Sequence, residues 1–395
     1  MVTLIRDGSV FAPEPLGCKD ILILDRTIGA VADPGTLTLR GLEVDDIDAS
    51  GKSVLPGFID SHVHMLGGGG EGGPTTRAPE IRIEEIVRSG VTTLFGCLGT
   101  DGVTRHMTSL LAKARALEAE GVSTYIFCGS YDLPVRTITG SVRSDLVLID
   151  KVIGAGEIAI SDHRSSQPTF EDFAKLAAEC RVGGMLGGKP GILHCHLGDG
   201  PRRLELIFRL VRETEIPVAQ VMPTHMNRNR ALFEQGLEFM KIGGSIDLTA
   251  GTEPQDENDN DLSVETAIEA IQTQNPALNQ VTISSDSNGS LPVFNKKGEL
   301  VGLTVAAEQA LFRAFRSLVA RKTLTLDKAA LVFAANPAGF YKLKHKGGIA
   351  PGKDADLIVL DGSLHLSEVF ALGRKMMAGG RLLARGTFGP DAGQE

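Results

Sequence analysis

The chain has 395 residues, 42% hydrophobic and 23% charged, with 40 basic against 49 acidic residues for a net charge of −9. That composition suits a globular protein with one large domain and a small one, and an acidic balance with no basic run argues against non-specific nucleic-acid binding, so no nucleic-acid partner is expected. No apolar run approaches the length of a membrane span, and the first eleven residues lack the basic start and apolar stretch of a signal peptide, so a cytoplasmic chain with no membrane partner is expected. The five cysteines, Cys18, Cys97, Cys128, Cys180 and Cys195, are odd in number and scattered. Without Cys-x-x-Cys spacing they read as buried free thiols.

Residues 1–53 hold short β-like pieces at 2–5, 21–24 and 27–31, broken by Gly8, Pro13, Pro15, Gly17 and Pro34. The apolar run 54–59 reads as a buried strand, and side-chain alternation beyond it places His62 and His64 on one face. Two imidazoles held on one edge suit zinc or a similar divalent ion, although two hydrogen-bonded histidines at a strand end would show the same pattern. Directly behind them, residues 67–73 are six glycines around Glu71. Such a loop lets backbone approach a ligand closely.

Strand-like apolar runs then alternate with segments of helical spacing. The runs are 92–98, 124–129, 152–160, 191–197, 218–222, 245–248 and 281–285; the helical segments are 105–120, 170–181, 202–214, 229–242 and 264–273. With the opening strand there are eight, over roughly the 250 residues typical of a (β/α)8 barrel, so the expected fold is α/β, a TIM barrel rather than an open doubly wound sheet. Any site then lies at the carboxyl ends of the strands. Residues 347–356 lead into further strand-and-turn patterns at 357–360 and 381–386. Two β-rich ends, 1–53 and 345–395, are expected to join into one small β-sandwich domain beside a barrel of 54–344; two unrelated extensions are the alternative.

Residues of metal-binding type recur where successive strands should end: His62 and His64, Glu157, His194 and His196, His225 and Asp286. One buried histidine alone is more often a satisfied core residue. Several converging on one barrel mouth would hold two divalent ions about 3.5–4 Å apart, where a bridging water becomes hydroxide near neutral pH.

These residues resemble the amidohydrolase superfamily and, within it, the bacterial isoaspartyl (β-aspartyl) dipeptidases. The resemblance runs from Pro56-Gly57-Phe58-Ile59-Asp60 and His62-Val63-His64 through the glycine loop to Arg77. It continues through Ser161-Asp162-His163-Arg164-Ser165, His196-Leu197-Gly198-Asp199, Pro223-Thr224-His225-Met226-Asn227-Arg228-Asn229 and Ser284-Ser285-Asp286-Ser287-Asn288-Gly289-Ser290 to Pro351-Gly352-Lys353-Asp354-Ala355-Asp356. It implies a binuclear metal-dependent dipeptidase that hydrolyses β-aspartyl dipeptides by attack of a metal-bridging hydroxide, and a homo-oligomer. His62 and His64 would bind one metal, usually zinc, and His196 and His225 the other. Asp286 would bind the first metal and take the proton of the attacking water, matching general acid–base logic.

The resemblance also implies that Tyr131 polarises the scissile carbonyl, and that Glu71 binds the substrate's free α-amino group. Gly69, Thr100 and Ser290 would hold the aspartyl α-carboxylate, while Arg164 and Arg228 grip the carboxylate of the leaving residue, a task for which the planar guanidinium is suited. His194, one layer deeper on the face of His196, is left with a structural role. One position departs from the pattern: where the dipeptidases carry a carboxylated lysine bridging both metals, this chain has Glu157, three residues before Ile160. Glu157 already bears a carboxylate; the alternative makes Lys151 the carboxylated residue. A cyclic-amide hydrolase of the dihydroorotase or hydantoinase kind is the competing activity, although those enzymes lack a glutamate in a glycine loop. A non-catalytic interaction protein is a third reading, against which the intact histidines and Asp286 speak.

Overall fold

The computed structural model describes residues 2–251, 261–294 and 300–389. Five short strands come first: β1 (Val2–Phe11), β2 (Pro15–Leu24), β3 (Thr27–Ala32), β4 (Asp45–Asp48) and β5 (Ser53–Pro56). Eight more alternate with helices such as Met107–Glu120, Phe170–Gly187 and Arg230–Lys241: β6 (Phe58–Val63), β7 (Val91–Gly96), β8 (Ser123–Cys128), β9 (Val152–Ile160), β10 (Ile192–Leu197), β11 (Val221–Thr224), β12 (Ile246–Thr249) and β13 (Val281–Ser284). A hairpin of β14 (Ser290–Phe294) and β15 (Leu300–Val305) precedes the last strands, β16 (Leu357–Leu360), β17 (Leu366–Ala371), β18 (Arg374–Ala378) and β19 (Arg381–Leu382).

Strands β6 to β11 pair each with its successor, and β12 pairs with β13, all in parallel. The ring closes where the Val63–Ser287 bridge joins β6 to the end of β13, and where Met226 N donates to Asp247 O at 3.1 Å between β11 and β12. Eight parallel strands with helices between them make the (β/α)8 barrel. Ile59, Phe95, Phe127, Ile153, Ile192, Met222 and Tyr341 form one buried apolar cluster that plugs its lower interior.

The two chain ends share a single nine-stranded sheet, ordered β19-β18-β17-β16-β5-β1-β2-β3 with β4 on β1. Antiparallel pairing of β16 with β5, Ile358 opposite Leu55, is the seam between them. Ile5, Val10, Ile21, Val54, Leu357, Val359 and Phe370 come from separated strands yet meet in one apolar cluster. A flat sheet could not bring them together; the sheet curls over itself as a small sandwich.

Three details differ from the local sequence patterns. The apolar run 54–59 is two strands, β5 in the small sheet and β6 in the barrel. Its break falls at Gly57, where the amide donates to Asp356 O at 2.9 Å and a side chain would run into Thr92. Only glycine tolerates that approach. The run 218–222 opens with a 3-10 turn, Val218–Gln220, closed by Gln220 N on Pro217 O, so the strand starts at Val221. Cys18 is exposed on β2, whereas the other four cysteines are buried free thiols. No helix among the described residues is long and apolar enough to cross a membrane.

Candidate active site

Two backbone devices aim polar side chains into the barrel mouth. β6 gains one residue on β7 between Asp60 and Val63, and β9 gains one on β10 between Ala155 and Ile158. Bulges of this kind re-aim a side chain, and here they turn His62 and Glu157 inward. His225 and Asp286 instead follow their strands in left-handed backbone, φ 62° and 55°. Such conformations are uncommon for residues with a Cβ and concentrate at functional sites.

Glu157 stands at the centre. Its Oε2 lies 3.1 Å from His62 Nε2, 3.2 Å from His196 Nδ1 and 3.7 Å from His225 Nε2, while Oε1 lies 3.4 Å from His64 Nε2. Asp286 Oδ1 is 3.4 Å from His62 Nε2 and 3.1 Å from His64 Nε2. The two carboxylates therefore sit among four buried imidazoles. Burial opposes charge on Glu157, yet the facing His62, His196 and His225 hold its carboxyl well below the usual range. Asp286 is lowered in the same way, burial being overcome chiefly by His64. Burial pushes His225 down to about 3, which keeps that ring in the neutral form that ligates metals.

Three of the imidazoles are anchored through their second nitrogen. His62 Nδ1 meets His194 Nε2 at 2.8 Å, His196 Nε2 meets Asp162 Oδ2 at 3.0 Å, and His225 Nδ1 meets Thr249 Oγ1 at 2.7 Å. Anchoring of this sort orients a ligand imidazole. His194 itself is one layer deeper, stacked on Phe127 with centroids 4.5 Å apart. His62 Nε2 and Glu157 Oε1 are buried with no hydrogen-bond partner, a cost of about 1–3 kcal/mol each if nothing fills the gap. Divalent cations would satisfy both atoms, so the residues fit a metal centre. Among the described residues, donor atoms within 4.8 Å of one another form three overlapping groups: His62, His64, Cys97 and Glu157; His62, His225 and Asp286; Glu157, His196 and His225. Lys151, the residue before β9, instead pairs with Glu118 at 2.5 Å and lies 5.9 Å from the centre of the Tyr125 ring.

The rim carries opposite charges side by side. Glu71 Oε1 accepts from Thr100 Oγ1 at 2.7 Å and lies 3.6 Å from Arg164 Nη1. Arg164 donates from Nε and Nη2 to the Asp162 carboxylate at 3.0 and 2.7 Å, with its guanidinium 5.3 Å from the Tyr131 ring centre. Tyr131 Oη is 3.0 Å from His196 Nδ1. Arg228 lies 3.8 Å from Asp199, and its buried Nε has no hydrogen-bond partner. Gly69 has φ 76°, and a Cβ there would collide with the Thr76 carbonyl and come up against Ser290.

Sequence patterns left three of these parts without a role. Arg105 reads only as a helix start, yet it is buried and donates to the carbonyls of Leu66, Gly68 and Gly69, fastening the glycine loop. Asp162 joins His196 to Arg164, and its place in the Ser-Asp-His-Arg-Ser segment was the available signal. Cys97, at the end of the strand after the histidine pair, was visible only as a buried thiol. An open groove of about 620 Å³ between the small sheet and the helix Met107–Glu120 shares no residue with the cluster and does not mark it.

The chain matches the model of the Amidohydrolase family over residues 53–382. It is similar to a β-aspartyl dipeptidase of Fervidobacterium islandicum AW-1 solved in complex with a β-Asp-Leu dipeptide. Identity is 47%, coverage 98% of this chain and 99% of that one, and the TM-score 0.91. A dihydropyrimidinase of Brevibacillus agri NCHU1002, at 14% identity, 99% and 100% coverage and TM-score 0.68, shares the fold. A dihydroorotase of Listeria monocytogenes serotype 4b is 31% identical over 164 residues, 40% of this chain and 34% of that protein. The chain thus spans about a third of the length of that curated relative. From the family match across most of its length and the full-length likeness at 47% identity, this chain belongs to the amidohydrolase family.

Proposed function

We propose that the chain is a binuclear metal-dependent dipeptidase acting on β-aspartyl dipeptides. The observation that carries this is the pairing of Glu71 with Arg164, 3.6 Å apart, on the rim of the histidine and carboxylate cluster. An anion and a cation at that spot suit a small substrate that presents both a free ammonium and a free carboxylate. A β-aspartyl dipeptide does so, with its ammonium and α-carboxylate on the aspartyl side of the amide and a second carboxylate on the leaving residue. The likeness to a dipeptidase holding β-Asp-Leu supports the same reading.

His62, His64 and Asp286 would hold one divalent ion and His196 and His225 the other, with Glu157 reaching both pairs. Zinc is the proposed ion, since imidazole and carboxylate suit it. When bound, the ions supply Lewis acidity to the amide carbonyl and acidify water. Asp286 accepts the proton of the attacking water and passes it to the departing amine nitrogen. Tyr131 donates its hydroxyl proton as a hydrogen bond to the carbonyl oxygen while charge builds there. Burial raises that phenol well above its usual range, so it stays a donor.

Glu71, oriented by Thr100, pairs with the substrate ammonium. Gly69, Thr100 and Ser290 hold the aspartyl α-carboxylate. Arg164, splinted by Asp162, and Arg228, with its free Nε, take the carboxylate of the leaving residue. Family resemblance extends the proposal to a homo-oligomer, and the sequence reading to a cytoplasmic one. The test is amino-acid release from β-Asp-Leu and α-Asp-Leu beside ring opening of a hydantoin, with metal counted on the same sample. Cleavage of β-Asp-Leu in strong preference, with about two ions per chain, is expected. Turnover of the hydantoin instead would make the protein a cyclic-amide hydrolase, and an inert, metal-free protein would be a non-catalytic relative.

A further inference from the structure

One donor in the cluster has no part in the assignments above. Cys97 directly follows β7, is 1% exposed and places Sγ 3.9 Å from His64 Nδ1. One donor atom each from His62, His64, Cys97 and Glu157 lies within 4.8 Å of the others, and two of the atoms around that space, His62 Nε2 and Glu157 Oε1, are buried without a hydrogen-bond partner. The remaining buried cysteines face elsewhere. Cys128 Sγ is 3.1 Å from the Asp145 carboxylate, and Cys180 and Cys195 pack in the apolar layer between strands and helices.

We propose that the Cys97 thiolate is a further protein ligand of the ion held by His62 and His64. This rests on the two-metal reading above. It makes that half of the centre a nitrogen, oxygen and sulfur site, while the His196 and His225 half has no sulfur. Thiolate is the ligating form, so the thiol proton leaves to solvent as the ion enters. A soft donor favours zinc or cobalt over magnesium, calcium or manganese. It also adds a negative charge beside Glu157 and Asp286, so the ion on this side is held the more tightly of the two. The competing arrangement is a buried thiol that donates only to Val63 O, 3.6 Å away, or to His64 Nδ1, 3.9 Å away.

The full chain, stripped of metal and reloaded with cobalt(II), tests this by absorption spectroscopy together with an elemental count of bound ions. Expected are about two cobalt ions per chain and a near-ultraviolet sulfur-to-cobalt charge-transfer band that disappears in Cys97→Ser and persists in Cys195→Ser. X-ray absorption of the zinc-loaded wild-type protein should show a sulfur neighbour at about 2.3 Å. That measurement needs no variant and stands even where Cys97→Ser does not fold. Two bound ions with neither band nor sulfur neighbour would overturn the role of Cys97 and leave the two-metal reading intact, as would a band that survives Cys97→Ser. A chain that takes up no divalent ion overturns both.

Discussion

Two buried carboxylates in the same barrel, Asp247 on β12 and Glu157 on β9, have opposite surroundings. Asp247 accepts from the hydroxyls of Thr282 at 2.6 Å, Thr224 at 2.7 Å and Ser284 at 2.6 Å. Neutral donors from β11 and β13 occupy its oxygens and tie neighbouring strands together. Glu157 faces imidazoles, and one of its oxygens has no hydrogen-bond partner. Burial raises the carboxyl of Asp247 despite its three bonds, whereas the imidazoles overcome burial and hold Glu157 well below the usual range. Burial of a carboxylate therefore says little about its task. Hydroxyl donors close a structural knot, while ring nitrogens and an unpaired oxygen leave room for a cation.

Asp286, a third buried carboxylate, provides the largest break. Asp286→Asn should keep most of the metal and lower turnover by roughly 10²–10⁴-fold, the usual worth of a positioned base. Steady-state rates with an elemental count check this, and a variant near the parental rate would remove Asp286 from proton transfer. Glu157→Gln removes the anion between the two histidine pairs at constant shape. It should weaken metal binding by about 3–5 kcal/mol, the cost of leaving buried opposite charge uncompensated, read by calorimetric titration. Normal binding in Glu157→Gln beside lost binding in Lys151→Ala would move the bridge to Lys151.

On the rim the expected effect is smaller and selective. Glu71→Gln should cost about 1.5–3 kcal/mol in kcat/KM on a β-aspartyl dipeptide, the worth of a hydrogen bond to a charged group. An N-acetylated analogue, with no ammonium, should be nearly unaffected. Equal losses on both would remove Glu71 from the amine site. Asp247→Asn sharpens the opening contrast: it should lower unfolding stability by about 1–3 kcal/mol in a urea titration, with metal content unchanged. Metal lost along with stability would erase the distinction between the two carboxylates. The smallest expected effect is none. Metal-free protein should regain full activity from zinc alone in carbon-dioxide-free buffer, because Glu157 needs no carboxylation, and a bicarbonate requirement would contradict that.

Much of the site was legible because its signals are local. His62 and His64 stand two apart, Glu71 stands alone among glycines, and Arg164 and Arg228 lie in dense polar segments. What escaped was whatever depends on a neighbour distant in sequence. The split at Gly57 is set by Thr92 and the Asp356 carbonyl, and the run 54–59 is uniformly apolar across it. Strand β17 gains its definition from pairing with β16, and β18 from pairing with β17. Arg105, Asp162 and Cys97 look like any helix start, loop acid or core thiol until the loop, the imidazole or the histidine pair is placed against them.

The order of strand-like and helical segments, and so the barrel, followed from residue periodicity, because alternation and helical spacing are properties of a few consecutive residues. The supply of metal-type side chains at strand ends was likewise written in the chain. Which of them share one pocket was decided by closure of the ring: His64 and Asp286 are 222 positions apart and come within 3.1 Å only when the end of β13 docks beside β6. The bulges that turn His62 and Glu157 inward arise from the pairing of β6 with β7 and β9 with β10. Periodicity within one strand cannot show them, since a bulge is defined by the partner strand.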